Sequence, residues 1–169
     1  MEKKVILVNE NDMVMGSAEK MEAHEKGLLH RAFSIFVFNS RGEMLMQQRA
    51  IDKYHSGGLW TNACCSHPEP GEETAKAARK RLGEEMGFDI PVVQIFDFVY
   101  KATFDNGLTE YEFDHVFTGM YDGIIYPDKD EVQDYCYKSL HDIENAITIK
   151  QDHFTAWFKI AFPLIKDSM

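Results

Sequence analysis

Hydrophobic residues in this chain fall into short runs separated by turn residues, a pattern that is typical of β-strands. Two of the turns are explicit, because Asn39-Ser40-Arg41-Gly42 predicts a hairpin loop and Asn106-Gly107 is a strong two-residue turn signal. The pattern therefore predicts strands at Lys4 to Asn9, Ala32 to Phe38, Glu43 to Gln48, Val93 to Thr103, Leu108 to Tyr121 and Val132 to Tyr137.

Helical spacing replaces the strand pattern over Glu72 to Met86. The apolar residues of this segment recur three or four positions apart: Ala75, Ala78, Leu82 and Met86. Acids in the expected first turn suit the positive end of the helix dipole, and Gly87 is a natural C-cap. Further helices are predicted at Ser139 to Ala146 and at Gln151 to Ile165, where Pro163 disturbs the last turn. The whole pattern predicts an α/β or α+β fold, with a mixed sheet between helices.

Length and charge narrow the class of protein. At 169 residues the chain is expected to form a single domain, residues 1–169, and no linker or repeat divides it. The net charge of -10 argues against nucleic-acid and anionic-membrane partners, which leaves small molecules. The chain has three cysteines, no signal-peptide pattern and no apolar run of membrane-spanning length. We therefore expect free thiols in a cytoplasmic protein. The sequence leaves open whether the protein is a monomer or a homodimer.

Candidate chemistry is concentrated between Trp60 and Phe88. The run Trp60-Thr61-Asn62-Ala63-Cys64-Cys65-Ser66-His67-Pro68 holds two thiols and an imidazole, and a row of acids follows. From Ser66 onward the segment resembles the Nudix box, in which glycine, five residues, glutamate and seven residues precede R-E-x-x-E-E-x-G and an apolar residue. The matching positions are Glu72 and Glu84-Glu85-Met86-Gly87-Phe88. The departures are Ser66 for glycine, Lys80 for arginine and Arg81 for the first glutamate of R-E.

These departures change the expected chemistry. A Nudix hydrolase uses carboxylates on this helix to gather divalent metals and to activate water on a diphosphate. Arg81 would repel a metal cation. With Lys80 beside it, the helix is better suited to binding a diphosphate than to cutting one.

The chain contains the motif W-T-N-x-x-C-x-H-P, with Cys65 at the cysteine position. In this it resembles the type 1 isopentenyl diphosphate isomerases, a branch of the Nudix family, and the similarity extends from about residue 4 to Trp157. The resemblance implies an isomerase that interconverts isopentenyl and dimethylallyl diphosphate by a 1,3-allylic proton shift through a carbocation-like state. It places Cys65 on one face of the substrate, Glu112 and Tyr100 on the other, and Trp157 near the cation. Which of Tyr100 and Glu112 transfers the second proton stays open, as does the role of Cys64.

The resemblance also implies two metal ions. The first would be Mn²⁺ or Zn²⁺, held by residues from distant segments: His24, His30, His67, Glu110 and Glu112. The second would be Mg²⁺, bound by Glu85, the diphosphate and the carbonyl of Cys65. The remaining histidines are interpreted as surface or satisfied core residues: His55, His115, His141 and His153.

Four cations match the family's diphosphate contacts: Lys20, Arg49, Lys53 and Arg81. Two other functions stay open. A Nudix hydrolase of a nucleoside or other diphosphate is supported by Glu72, Glu84 and Glu85, but would have to work without a glutamate at position 81. A non-catalytic binding module with a structural zinc site is disfavoured, because Cys64 and Cys65 lack the usual gap between paired zinc ligands.

Overall fold

The computed structural model describes residues 3–169. Within this range the strands are β1 (Lys4–Val8), β2 (Val14–Glu19), β3 (His30–Phe38), β4 (Met44–Arg49), β5 (Trp60–Thr61), β6 (Cys64–Ser66), β7 (Val93–Thr103), β8 (Thr109–Met120) and β9 (Val132–Lys138). The helices are α1 (Lys20–Lys26), α2 (Thr74–Met86), α3 (Leu140–Ile149) and α4 (Ala156–Asp167), with a short 3₁₀ turn at Gln151–His153.

Strand β3 is the centre of the sheet. It runs parallel to β8 from His30, opposite Glu112, to Phe38, opposite Met120. Strands β1 and β6 pair with β3 in the antiparallel sense, and β7 pairs in that sense with β8. Strand β4 carries β5 and β9 at the other side. The sheet is therefore mixed, as the sequence predicted.

The two faces of the sheet are covered by different helices, because successive side chains of a strand point to opposite sides. Ile35 belongs to a buried cluster with Leu82 of α2. Its neighbour Phe36 packs on Phe158 of α4, with ring centroids 6.3 Å apart. Burial of each such side chain stabilises the fold by about 1.5–3 kcal/mol. The predicted placement of the sheet between helices is confirmed.

Helix α2 begins later than predicted, at Thr74. Glu73 occupies the extended N-cap position, and the carboxylate of Glu72 accepts a hydrogen bond from the Glu69 N–H at 2.8 Å. The predicted acidic first turn is wrong, because these acids precede the helix. The predicted C-cap is correct: Gly87 has φ 78°, and a Cβ there would lie 2.4 Å from the carbonyl oxygen of Tyr126.

Three further parts of the fold differ from the prediction. The sequence did not indicate β2, α1 or the two- and three-residue strands β5 and β6. The helix predicted from Gln151 to Ile165 is broken, because Phe154 is extended and forms a bridge with Trp60. Thr155 then caps α4 by accepting from the Phe158 N–H at 3.3 Å, and this helix continues past Pro163. Over residues 3–169 no helix has the length and apolar character to cross a membrane.

Candidate active site

One face of the sheet carries a row of polar side chains where the apolar packing under α4 stops. Strand β8 presents Glu110, Glu112 and Asp114 on this face, since alternate residues share a side. In the antiparallel register Tyr100 of β7 lies opposite Glu112, and in the parallel register His30 of β3 lies opposite it as well. Strand pairing alone therefore collects acids, a phenol and an imidazole at one place.

Glu112 is the meeting point of two imidazoles. Its Oε2 lies 3.1 Å from His30 Nε2 and 2.6 Å from His67 Nε2. Burial lowers the pKa of His67 to about 4, so the ring is neutral, which is the form that binds metals. Burial opposes ionisation of Glu112, but the contacts with His67 and His30 hold its pKa well below the ordinary range.

The ring nitrogens of this cluster are oriented from behind. The Nδ1–H of His24 donates to the Lys20 carbonyl at 2.6 Å, and that of His30 donates to the Leu28 carbonyl at 2.8 Å. A hydrogen bond at Nδ1 fixes the orientation of each ring and directs Nε2 into the cluster, as in metal-binding histidines. His24 Nε2 is buried, has no hydrogen-bond partner among residues 3–169 and lies 3.9 Å from Glu110.

His55 extends this cluster and was not identified from the sequence, where it was interpreted as a surface or core residue. It is buried, and its Nε2 lies 2.8 Å from Glu110 Oε2 without the geometry of a hydrogen bond. Two overlapping groups of ligand atoms result, each within 4.8 Å: His24, His30, His67 and Glu112, and His24, His55 and Glu110. Unpartnered imidazole nitrogens facing carboxylates fit a divalent cation between them.

Tyr100 joins the two carboxylates. Its hydroxyl donates to Glu110 Oε1 at 2.5 Å and is in close contact with Glu112 Oε1. Burial raises the pKa of Tyr100 well above its ordinary value, and the charges of Glu110 and Glu112 raise it further. A single phenolic proton is thus shared between two acids, an arrangement that can transfer a proton to or from a bound molecule.

Cys65 faces the same cavity from β6. Its S–H donates to Asn62 Oδ1 at 3.0 Å. The amide orientation of Asn62 is fixed because its Nδ2 donates to the carbonyls of Ile35 and Cys64, at 2.9 and 3.0 Å. Burial raises the pKa of Cys65, so the sulfur is a protonated thiol. Cys64 points the other way and is fully buried in the cluster under α2.

A second polar contact lies behind the thiol. Ser34 Oγ is 3.4 Å from Cys65 Sγ and donates to Asp114 Oδ2 at 2.6 Å. All three side chains lie on the polar face of the sheet, because Ser34 pairs with Cys65 in the β3–β6 register. Ser34 and Asp114 were not identified from the sequence, where a serine in an apolar strand carries no functional signal.

Four basic side chains approach the cavity from different elements, and their partners differ. Lys20 Nζ lies 4.4 Å above the ring of Tyr54, and the Arg49 guanidinium carbon lies 5.2 Å from the ring of Trp157. Burial lowers the pKa of Lys20 to about 8, with a further contribution from Lys53. Four basic side chains therefore line the same cavity as four glutamates: Glu85, Glu110, Glu112 and Glu131.

Trp157 of α4 closes the cavity beside these cations. It is 3% exposed, and its ring meets His55 edge to face at 5.7 Å. Its Nε1 is buried, and none of the described residues forms a hydrogen bond with it. An aromatic face at this position can stabilise a positively charged intermediate and exclude water.

The structure brings the predicted site residues together. Of the thirteen, eleven line one cavity: Lys20, Arg49, Lys53, Cys65, His67, Arg81, Glu85, Tyr100, Glu110, Glu112 and Trp157. His24 and His30 are fully buried behind it. The sequence did not single out the other five lining residues: Gln47, Tyr54, His55, Ser66 and Glu131. Lys80, expected beside Arg81 as a diphosphate contact, lies outside the cavity and is solvent-exposed near Glu72.

Helix α2, which carries the segment that resembles the Nudix box, provides no row of free carboxylates. Arg81 forms an ion pair with Glu85, with its Nε 2.8 Å from Glu85 Oε2. Glu84 is exposed and bonded to Arg81 at 3.1 Å. The arrangement thus disfavours the hydrolase alternative. Among residues 3–169 the groups able to hold a metal consist of histidines and glutamates, with no cysteine, which disfavours a thiolate zinc site.

Comparisons with known proteins agree with the fold and the cavity. The NUDIX domain family model matches residues 28–158. An isopentenyl-diphosphate Delta-isomerase of Pectobacterium atrosepticum is 49% identical over 164 residues, which cover 97% of this chain and 92% of that protein. Isopentenyl-diphosphate Delta-isomerase 2 of Photorhabdus laumondii is 50% identical over 159 residues, covering 94% of this chain and 90% of that protein.

Solved structures add the fold alone, because the identities are low. The MutT protein from Methanosarcina mazei has a TM-score of 0.67 at 18% identity, covering 82% of this chain and 94% of that chain. A NUDIX hydrolase from Nitrosomonas europaea has a TM-score of 0.56 at 18% identity, covering 78% of this chain and 84% of that chain.

Proposed function

The chain belongs to the isopentenyl-diphosphate Delta-isomerases of the Nudix family, and on this premise we propose how its cavity interconverts isopentenyl and dimethylallyl diphosphate. The enzyme is an isomerase that moves a carbon–carbon double bond. The difficulty of the reaction is that an unactivated alkene is a very weak base, so an acid and a base must be held on either side of it.

The observation that carries the proposal is the lining of one cavity by both kinds of proton carrier. The Cys65 thiol lies on one side, and the hydroxyl of Tyr100 with Glu112 lies on the β7–β8 side. One side protonates the terminal carbon of the double bond, and the other removes a proton from the carbon beyond the tertiary centre. Because the reaction is reversible, each group is an acid in one direction and a base in the other.

The diphosphate is the handle that positions the five-carbon chain. Lys20, Arg49, Lys53 and Arg81 bind its oxygens, and the planar guanidinium groups hold them in a fixed geometry. Holding the charged end in this way places the double bond between Cys65 and Glu112, which converts binding energy into orientation.

Two divalent metals complete the site in this proposal. His24, His30, His67, Glu110 and Glu112 would hold Mn²⁺ or Zn²⁺. Glu85, which lines the cavity beside Arg81, would hold Mg²⁺ together with the diphosphate. When bound, these ions would supply positive charge that would neutralise the diphosphate and keep Glu112 fixed and ionised. His55 joins the ligand candidates because its Nε2 faces Glu110.

Trp157 protects the carbocation-like state. Its buried ring borders the cavity, so its π face stabilises the positive charge by about 0.5–2 kcal/mol. The same ring excludes water, which would otherwise capture the cation as an alcohol.

Since Cys65 must remain a thiol, we also propose that the enzyme works in the reducing cytoplasm.

NMR of the protein with isopentenyl diphosphate and Mg²⁺ in deuterated water tests this function. The expected result is dimethylallyl diphosphate that carries carbon-bound deuterium, with no release of phosphate. Release of phosphate or monophosphate without movement of the double bond would instead establish a hydrolase. No reaction with any added divalent metal would refute the catalytic assignment.

A further inference from the structure

A carboxylate occupies part of the cavity in which the diphosphate is proposed to bind. Glu131 Oε2 accepts a hydrogen bond from Lys53 Nζ at 2.6 Å, and its Oε1 lies 3.0 Å from Arg81 Nη2. The side chain of Glu131 is 25% exposed, and the residue lines the cavity. One acid thus bridges two of the four cations proposed to receive the diphosphate.

Each nitrogen of the Arg81 guanidinium lies near a carboxylate oxygen, although Nε makes no hydrogen bond within residues 3–169. Its Nη1 donates to Glu84 at 3.1 Å and its Nε lies 2.8 Å from Glu85, in addition to the contact with Glu131. Glu84 and Glu85 share helix α2 with Arg81, whereas Glu131 approaches from outside that helix. For Arg81 to grip a diphosphate, at least one of these contacts has to be given up.

The other two cations are in a different state. Among residues 3–169, neither Lys20 nor Arg49 has a carboxylate within 4.0 Å of its charged nitrogens. Arg49 Nε is buried and has no hydrogen-bond partner in the described part of the chain, and Nη2 donates to the His55 carbonyl at 3.1 Å. The cation set is therefore divided into two that are open to an anion and two that already hold one.

The backbone keeps Glu131 at this position. Its carbonyl accepts from the Ala50 N–H at 3.0 Å, and its own N–H donates to the Asp128 carbonyl at 3.0 Å. Asp128 is tied in turn to the end of α2, because its N–H donates to the Glu85 carbonyl at 2.8 Å. The carboxylate is thus fixed between the end of β4 and the end of α2.

We propose that Glu131 is an internal anion that holds Lys53 and Arg81 in the substrate-free enzyme and is displaced from them by the substrate's diphosphate. The inference rests on the proposed function in one respect, that these cations bind the diphosphate. Binding is then an exchange of one anion for another. In the empty site the carboxylate of Glu131 offsets the repulsion between the positive charges of Lys53 and Arg81. It also lowers the affinity for the product, which carries the same diphosphate as the substrate.

The test is Glu131→Gln, which keeps the shape of the side chain and one of the two acceptor oxygens that face Lys53 and Arg81, but removes the negative charge. The probe is inorganic diphosphate with Mg²⁺, titrated by calorimetry into wild type and variant, and KM for isopentenyl diphosphate is measured in parallel. We expect the Kd for inorganic diphosphate and the KM both to fall about tenfold, because a like charge beside the ligand is removed. The thermal midpoint of the ligand-free variant should fall, since its cations lose their counter-charge.

Glu144→Gln is the matched control, because it makes the same change in net charge. Glu144 pairs with Lys166 on the surface and does not line the cavity. Its Kd and KM should equal those of wild type.

If wild type binds diphosphate and Glu131→Gln binds it equally well or more weakly, the inference is overturned while the proposed function stands. A wild type that fails to isomerise, combined with tighter binding by the variant, supports the inference and overturns the proposed function. A wild type that does not bind diphosphate at all overturns both.

Discussion

Replacement of Cys65 by alanine tests the catalytic assignment most directly. If the thiol carries one of the two transferred protons, its removal should lower kcat by about 10²–10⁴-fold, which is the range for loss of a positioned acid or base. The expected cost in folding free energy is much smaller. The variant loses the hydrogen bond to Asn62 and the 3.4 Å contact with Ser34 Oγ. Neither partner is left unsatisfied, because Asn62 Oδ1 still accepts from Thr61 Oγ1 at 2.9 Å and Ser34 Oγ still donates to Asp114.

The stability cost follows from these contacts. The lost polar contacts of the thiol and one partly buried sulfur atom amount to about 1–2 kcal/mol. For a chain of 169 residues this lowers the thermal midpoint by roughly 2–8 °C. The folded fraction at 25 °C therefore stays near one, so a loss of turnover cannot be attributed to unfolding.

The assay is formation of deuterated dimethylallyl diphosphate by NMR, with thermal unfolding recorded on the same samples. Cys64→Ala is the matched control, because Cys64 is the adjacent residue, fully buried against α2 and absent from the cavity lining. It should lose comparable stability and keep its turnover. Retention of more than a tenth of wild-type kcat in Cys65→Ala, or equal losses in both variants, would refute the assignment.

Three further predictions concern the rest of the cavity. Tyr100→Phe removes the only hydroxyl that bridges Glu110 and Glu112 in the described chain, so kcat should fall about 10²–10⁴-fold; a change below threefold would contradict its role. Because the pKa of Lys20 is lowered to about 8, its charge is lost as pH rises through 8, and KM should rise above that pH in wild type but not in Lys20→Met. Chelation should abolish turnover and lower the thermal midpoint, with recovery on adding Mn²⁺ or Zn²⁺; full activity without metal would refute the metal sites.

The sequence was informative where a local pattern determines the structure. Strand Val93–Thr103 was predicted at its observed bounds. A long apolar run that is followed closely by a turn signal restricts where the strand can end. Helix α2 was predicted too long at its start, since acids before a helix resemble acids within its first turn. The short strands β5 and β6 could not be predicted, because two or three residues carry no periodic signal and are held by tertiary pairing.

The same distinction applies to the cavity. The family motif identified Cys65 and His67, which lie close together in sequence. It did not identify His55, because a lone histidine before Ser56 and two glycines resembles a loop residue. Only the folded chain places its Nε2 beside Glu110. The motif did not identify Glu131 either, because a charged loop residue carries no signal of its own. Its partners Arg81 and Lys53 lie about 50 and 78 positions away in the sequence.

Register decides which of the two adjacent thiols can be catalytic. Strand β6 pairs with β3 so that Cys65 lies opposite Ser34, on the polar face, and Cys64 lies opposite Ile35, on the face under α2. A slip of one residue would exchange the two sulfurs, since side chains alternate with period two. Asn62 opposes such a slip, because its amide binds the carbonyls of Ile35 and Cys64 at once. The asparagine that accepts the hydrogen bond of the thiol therefore also fixes the register that presents the thiol, so its substitution should impair the placement of the thiol as well as its hydrogen bond.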